Sequence, residues 1–516
     1  MDEVVFGLLI GSSVPVIILV WIVLKWVWLK PMKMEKYFKE QGITGPPYRL
    51  LYGNVKEMVN MMNTERSKPM ELSHNIVPRL LPFVHQSVER YGKTFVCWTG
   101  PTPKVSIMDP TLMRDILSNK FGHFAKMRPS PLGKLLAEGV INYDGEKWVK
   151  HRRIITPAFH LEKLKLMLPA FYRSCGDLVR RWQTLVSKGP GELDVWPYLQ
   201  SLTADVISRT AFGSSYEGGK QIFQLQSEQA DLIMQVTRSI YIPGSRFLPT
   251  KRNKRMKEIH RQVHTLLRDI VKSREEAIKS GEVSKNDLLG ILLESNRKEL
   301  QDGGNTENLG MTINEVIEEC KLFYFAGQET TSTLLVWTMI VLSMHPEWQQ
   351  KAREEVLQVF GGRKPDFEGL GQLKVVTMVL YEVLRLYPPV IMLTRATYKK
   401  MKVGEVSLPP GVLIQMPILL VHHDPELWGE DVEEFKPERF SEGISKATKD
   451  QACFLPFGWG PRICIGQTFA LIEAKMAVTM MLQNFSFELS AKYKHAPTTV
   501  ITVHPQYGAQ LILRNL

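Results

Sequence analysis

Two patterns of apolar and polar positions divide this chain. From Val4 to Leu24 no residue carries a charge, and as a helix this run would span about 31 Å, close to the hydrocarbon thickness of a bilayer. From Pro110 to Asn484 apolar residues recur at helical spacing, which predicts a mainly α body with a smaller β region, an α+β protein. No Ser/Gly-rich linker, repeat or low-complexity block interrupts that body, so three segments are expected. These are an anchor over 1–30, a basic and Pro-rich hinge over 31–50, and one domain over 51–516.

Two helices have ends that can be read directly. Thr312 and Glu315 have capping-box spacing, and the apolar run behind them continues to Met344, where His345-Pro346 stops it. That predicts thirty-two residues of helix from Ile313, roughly 48 Å and long enough to cross a whole domain. A second helix carries Glu382 and Arg385 at i and i+3 and ends at Pro388-Pro389.

The flanks of the N-terminal run identify it as a membrane anchor. It starts with Asp2 and Glu3 instead of a basic region, and no small-residue cleavage site follows, unlike a secretory signal. Trp21, Trp26 and Trp28 suit the membrane interface, and Lys25, Lys30, Lys33 and Lys36 follow the span, so the positive-inside rule leaves the rest of the chain in the cytosol. A buried core helix is the alternative, and the length and basic flank disfavour it. Gly45-Pro46-Pro47 then predicts a stiff hinge.

Composition narrows the chemistry. Hydrophobic content of 44% and charged content of 23% are ordinary for a globular protein. The five cysteines, Cys97, Cys175, Cys320, Cys453 and Cys464, contain no CxxC pair, which argues against a disulfide framework and a structural zinc site. A net charge of +12 points to an acidic partner such as membrane lipid or protein. Nucleic acid is excluded, because the basic residues are scattered and no nucleic-acid motif accompanies them. The densest group, Lys251, Arg252, Lys254, Arg255 and Lys257, reads equally as a solvated helix face.

One cysteine stands apart. Phe457-Gly458-Trp459-Gly460-Pro461-Arg462-Ile463-Cys464-Ile465-Gly466 sets Cys464 in a glycine-rich loop before a helix-like run from Thr468 to Leu482. The glycines permit sharp turns and close approach to a flat cofactor, and the helix start offers unpaired N–H groups that favour a thiolate. A lowered thiol pKa is therefore expected. The alternative is a buried free cysteine beside a tight turn. The spacing Phe457, Gly460, Arg462, Cys464, Gly466 resembles the signature of the cytochrome P-450 superfamily. That resemblance implies the cytochrome P-450 fold, a long central helix across the haem, haem b with Cys464 as axial thiolate, and monooxygenase chemistry.

Other segments carry the same resemblance. Ala326-Gly327-Gln328-Glu329-Thr330-Thr331 stands in the middle of the long apolar helix, where its small residues are expected to open the helix surface and an acid lies next to a hydroxyl, which packing alone does not ask for. By resemblance Thr330 steadies bound dioxygen and Glu329 relays protons from solvent; the alternative is a Thr bonded back to a carbonyl and a Glu facing water. Glu382 and Arg385 match the superfamily's Glu-x-x-Arg, whose partner is Arg439 in Pro437-Glu438-Arg439-Phe440, with an implied structural role. Trp148 and Arg152 match its Trp-x-x-x-Arg, and with Arg395 and Arg462 they are the candidates for holding the haem propionates. Phe457 is the aromatic that opens the cysteine loop.

What is missing matters too. No Gly-x-Gly-x-x-Gly lies between a strand and a helix, so electrons must come from another protein. The resemblance implies NADPH-cytochrome P-450 reductase, with cytochrome b5 as an optional second donor, dioxygen as co-substrate, and the endoplasmic reticulum membrane with a luminal N-terminus. Substrate-lining segments are expected at Phe124 to Asn142, Ser239 to Thr250, Phe325, Ile391 to Thr394, and Thr498 to Thr502, which together suit a lipophilic substrate with one or two polar handles. Tyr241, Ile242, Pro243, Phe247 and Leu248 are expected at the membrane surface. The stretch Glu318 to Thr331 and the cysteine loop are similar to the plant clan that contains secologanin synthase, gibberellin oxidases and oleanane triterpenoid oxidases, which implies a terpenoid substrate. A haem-thiolate isomerase or dehydratase that uses no external dioxygen, and a non-catalytic haem-binding protein, are the alternatives. Glu329 next to Thr330 disfavours both.

Overall fold

The longest element is defined by its ends. Its cap, Thr312, accepts a hydrogen bond from the Glu315 amide (3.3 Å), and the Glu315 carboxylate accepts one from the Thr312 amide (2.9 Å). Two donors that a helix start leaves unpaired are thereby satisfied. The helix runs Ile313–Met344 and stops at His345, because Pro346 opens the next helix.

The computed structural model describes residues 14–118, 123–213, 216–238, 244–281, 287–302 and 310–516. The elements that position the site are α1 (Val14–Lys39), β1 (Thr94–Thr99), β2 (Thr102–Ile107), β3 (Phe124–Lys126), α2 (Gly145–Ile155), β4 (Gly191–Asp194), α3 (Trp196–Phe212), α4 (Ile313–Met344), α5 (Lys374–Leu386), β5 (Leu393–Thr397), β6 (Leu413–Met416), α6 (Gln467–Asn484), β7 (Phe485–Leu489), β8 (Pro497–Thr499), β9 (Val503–Pro505) and β10 (Gln510–Asn515). The fold is mainly helical with small sheets, as the hydrophobic pattern predicts.

The largest sheet has the order β1-β2-β6-β5-β3, with β2 and β6 parallel and the other neighbours antiparallel. Its register sets Lys126 directly opposite Arg395, which brings two cations together at one edge. The strands β4-β10-β7 form a second sheet, and β8 and β9 form a hairpin.

Helix α4 is buried along most of its length and packs against α3, α5 and α6. The approach of α3 depends on Gly327, where an added Cβ would lie 2.8 Å from Ile207 Cδ1. Thr203 Oγ1 also donates to the Gln328 carbonyl (3.0 Å). Lower down, Trp337 stacks on Tyr387 with ring centroids 4.3 Å apart, and its indole N–H donates to the Val503 carbonyl (2.7 Å). That bond ties the β8–β9 hairpin to α4.

The N-terminal apolar run continues as α1, whose mean hydropathy is 1.8 and which is mostly exposed through Leu24. Residues 4–13 of the run lie outside the described residues. A π-helical turn at Lys25–Leu29 marks where the lysines begin. The stretch expected as a hinge is packed onto the domain. Phe38 is fully buried, the Tyr37 hydroxyl donates to Ser407 Oγ (2.9 Å), and the Tyr48 hydroxyl donates to the Val27 carbonyl (2.5 Å). Gly45 presses so closely on the strand that a Cβ would fall 1.8 Å from the Val96 carbonyl oxygen, so only glycine fits.

Candidate active site

The cysteine loop is folded by its own backbone. The Cys464 amide donates to the Phe457 carbonyl (2.9 Å), the Gly458 amide to Leu455 (3.0 Å), and the Ile463 amide to Gly460 (3.0 Å). Gly458 and Gly460 have φ of 76° and 72°, the left-handed region that glycine enters without steric cost. At Gly460 a side chain would also strike the Leu117 carbonyl oxygen at 2.6 Å. Directly behind Gly466 begins α6.

Of the five cysteines Cys464 is the exposed one; Cys97, Cys175, Cys320 and Cys453 are buried. Burial pushes the thiols of Cys97 and Cys453 up to about 11, and unionised thiols are poor metal ligands. Cys464 opens to solvent-accessible space but is closely surrounded by protein, and that desolvation raises its pKa despite the Gly466 amide and nearby Arg152, which both lower it. The lowered pKa expected from the loop is therefore not a property of the protein alone. Two modest donors do not outweigh burial, and metal coordination is what would deprotonate this sulfur. Among the described residues no group of three His, Cys, Asp or Glu side chains could hold a metal ion, so a metal here would rest on one protein ligand and a cofactor that brings the others.

The basic residues around the loop fit such a cofactor. Arg152, on α2, donates to the Ile463 carbonyl (3.1 Å) next to Cys464. Arg462 lies over the Trp148 ring with 4.5 Å between guanidinium and centroid, donates to the Tyr143 carbonyl (2.8 Å), and pairs with Asp144. Its Nη1 is buried without a partner among the described residues. Arg395 is 3% exposed and donates to the Thr394 carbonyl (3.0 Å). Burial and the neighbouring Arg462 pull its pKa down to about 10.

Lys126, which the sequence did not single out, joins this group. Burial, with repulsion from Arg395 and Arg462, pushes its pKa down to about 7, and Asp144 opposes only part of that. Asp144 also accepts from the Lys126 amide (2.9 Å). Three cations thus share one carboxylate. Such a cluster is suited to an anionic ligand with more than one charge, and the two propionates of haem meet that need. Sequence spacing could not reveal Lys126, because its place depends on the β3–β5 register.

Helix α4 changes character near its middle. From Glu319 to Leu342 its residues are buried except Phe325, Ala326, Gly327, Gln328 and Thr330. The small residues expected to open the helix surface therefore have two functions: Gly327 admits Ile207, while Ala326 and Thr330 leave accessible surface. The Thr330 hydroxyl donates to the Ala326 carbonyl (2.8 Å), which leaves its lone pairs as acceptors. Glu329 is buried, not facing water, and Oε1 accepts from Thr502 Oγ1 (2.8 Å) and His504 Nε2 (2.7 Å). Desolvation raises its pKa, but these two donors outweigh it and hold the carboxyl below its usual value.

Glu382, Arg385 and Arg439 form a buried ion network. Arg385 donates twice to Glu382 (2.8 and 2.7 Å), and Arg439 Nε lies 3.4 Å from the same carboxylate. The remaining Arg385 nitrogens serve the carbonyls of His422, Val432 and Glu434. His422, missed by the sequence reading, joins this network to the cysteine loop. Its Nδ1 bonds the Arg385 carbonyl (3.1 Å) while its Nε2 accepts from the Leu455 amide (3.0 Å). Burial and nearby His423 and Arg385 push its pKa down to about 3, so it stays neutral, as that bonding pattern requires. Of the expected membrane-surface residues, Phe247 and Leu248 are exposed, and Tyr241, Ile242 and Pro243 lie outside the described residues.

Comparison with known proteins agrees with this geometry. Residues 78–512 match the family model described as Cytochrome P450. The chain is 59% identical to Cytochrome P450 CYP72A219 of Panax ginseng over 98% of each chain. It is 56% identical to Cytochrome P450 72A15 of Arabidopsis thaliana over 96% of each, and 52% identical to Cytochrome P450 72A68 of Medicago truncatula over 96% of this chain and 95% of the relative.

Proposed function

This chain belongs to the cytochrome P450 family, and from that premise we propose a membrane-anchored monooxygenase that oxidises a lipophilic terpenoid with electrons from NADPH-cytochrome P450 reductase. Membership makes it a haem-thiolate oxidoreductase of the monooxygenase class, with haem b on the Cys464 thiolate. The observation that carries the reading is Cys464, the exposed cysteine, in a glycine-turned loop bordered by Arg152 and by Arg462 of a cation-rich cluster.

Bound haem supplies the activation of dioxygen. In our assignment Cys464 ligates the iron, and Phe457 fixes the loop through its carbonyl. Trp148, Arg152, Arg395, Arg462 and Lys126 hold the propionates. Glu329 and Thr330 would serve proton delivery, Glu329 as the carboxylate that relays protons from solvent and Thr330 through the lone pairs its hydroxyl keeps free. Glu382, Arg385 and Arg439 hold the cysteine loop's surroundings through His422.

The apolar character of the expected lining segments supports a lipophilic substrate, and the terpenoid class rests on the likeness to plant terpenoid oxidases. We assign residues 1–30 to the anchor, 31–50 to the connection and 51–516 to the catalytic domain. The N-terminus lies in the lumen of the endoplasmic reticulum and the domain in the cytosol. The basic surface suits an acidic reductase face, and cytochrome b5 is an accessory donor.

The test is reconstitution of the full chain with reductase in liposomes. Lipophilic terpenoids are screened by perturbation of the haem spectrum, and the products by mass analysis. Wild type is expected to give oxygenated product only with NADPH and dioxygen. Cys464→Ala is expected to give none and to lose the carbon monoxide difference band at about 450 nm. A product formed without NADPH or dioxygen would overturn the reading.

A further inference from the structure

The acid of the central helix is approached from outside by one side chain. His504, on β9, places Nε2 2.7 Å from Glu329 Oε1 and 2.8 Å from Thr502 Oγ1. Glu329 is held as the anion by these partners, so Nε2 carries a hydrogen; a bare ring nitrogen would face a carboxylate oxygen at that distance. In the neutral ring Nδ1 is then the nitrogen without a hydrogen. It has no hydrogen-bond partner among the described residues, and it is not one of the buried polar atoms sealed from solvent. The ring packs on Trp196 of α3, centroids 5.0 Å apart, and so stands between a buried carboxylate and the exterior.

Among the described residues the ion-pair partner of His504 is Glu329. Glu329 faces His504 from α4, the contact from α3 is the uncharged Trp196, and Thr502 is the neighbour on its own chain segment. The cross-strand residue is Thr498. Arg66 and Arg238 bond the carbonyl of Thr499, the residue next to Thr498 on that strand.

We propose that His504 is the proton entry to Glu329. A hydronium ion from solvent protonates Nδ1 and leaves as water while the Nε2 hydrogen passes to Glu329 Oε1, and exchange of the ring tautomer restores the starting state of the imidazole. Only N–H and O–H bonds change, and each pass moves one proton inward from solvent. Thr502 and Thr333, whose hydroxyls lie 3.0 Å apart, orient the carboxylate but offer no titratable route. This inference rests on the monooxygenase reading and names the supply line for its acid.

The competing role is a hairpin anchor, and His504→Gln separates the two. Glutamine keeps a donor for Glu329 but cannot pass a proton through its side chain. In holoenzyme with reductase, H504Q is expected to keep the carbon monoxide band and thermal midpoint. Product per NADPH should fall about tenfold, with peroxide rising, and the pH profile of coupling should flatten across the neutral range. A wild-type coupling ratio and pH profile in folded H504Q would overturn the proposal. A wild type that lacks the thiolate band fails at the level of the monooxygenase reading instead. An independent readout is the nitrogen NMR spectrum of the neutral His504 imidazole in the wild type, where the hydrogen is expected on Nε2; a neutral ring with its hydrogen on Nδ1 would also overturn the proposal, whether or not H504Q folds.

Discussion

Glu382 and Arg385 are built from the same ionic parts as Lys126, Arg395, Arg462 and Asp144, yet only the first pair is completed by protein. Glu382 and Arg385 are fully buried, and each guanidinium nitrogen of Arg385 meets an acceptor: Glu382 or the carbonyls of His422, Val432 and Glu434. The Lys126 group has three cations and the single carboxylate of Asp144, and Arg462 Nη1 is left without a partner among the described residues. A satisfied buried network fixes structure, whereas a cation-rich one must be completed by something else. The difference separates arginines that look alike in sequence into those closed within the fold and those left open to a ligand.

Breaking the completed network should have the largest effect. Arg385→Ala leaves Glu382 buried and only partly paired, and loss of one partner of a buried pair costs about 3–5 kcal/mol. Arg385→Lys restores the charge but not the planar fork that reaches two carboxylate oxygens and three carbonyls, so it should recover little. Denaturant unfolding of the holoprotein measures both. Because His422 links Arg385 to the Leu455 amide, both variants should also lose the carbon monoxide band before global unfolding. A stable Arg385→Ala protein with an intact band would remove the distinction between the two clusters.

The incomplete cluster should respond to pH. Lys126 has its pKa pushed to about 7 by burial and by Arg395 and Arg462, below the usual lysine value. An anion held beside it restores the ammonium, so anion binding takes up a proton at any pH between about 7 and the ordinary lysine pKa. Affinity for the haem propionates therefore falls as pH rises through that window, by at most about tenfold per pH unit. Haem transfer to an acceptor protein should accelerate with rising pH in the wild type. Lys126→Arg, charged throughout, should flatten the dependence, and an equally steep slope in that variant would assign the titration to another group.

These clusters also mark how far the sequence could be read. Helix α4 and the cysteine loop were legible because local signals define them: a capping box, a stop at His345-Pro346, glycines at fixed spacing around Cys464. Glu382 with Arg385 was legible as a helical pair, and Arg439 through the segment that contains it. Lys126 was not, because it meets Arg395 only through strand register. His422 and His504 were equally hidden, since each acts on a residue far away in the chain. Gly327 was read as opening space, while the structure uses it to admit Ile207. Its partner lies on another helix, and composition cannot specify which neighbour a small residue is small for.

The smallest expected effect tests whether distance or burial decides what an ion pair is worth. Arg514 and Glu488 lie on the adjacent strands β10 and β7 with N···O 2.7 Å, the same separation as Arg385 and Glu382. Their side chains are 53% and 54% exposed, against 0% for the buried pair. In water each charge keeps most of its hydration when the other is removed, and ordering two long side chains offsets the attraction. Exposed pairs consequently contribute about 0–1 kcal/mol. Glu488→Gln should shift the unfolding free energy within that range and leave the haem spectrum unchanged, and added salt should erase even that shift. If Glu488→Gln instead cost as much as Arg385→Ala, contact geometry alone would set the strength of an ion pair here, and the contrast between the completed and the open cluster would no longer follow from burial.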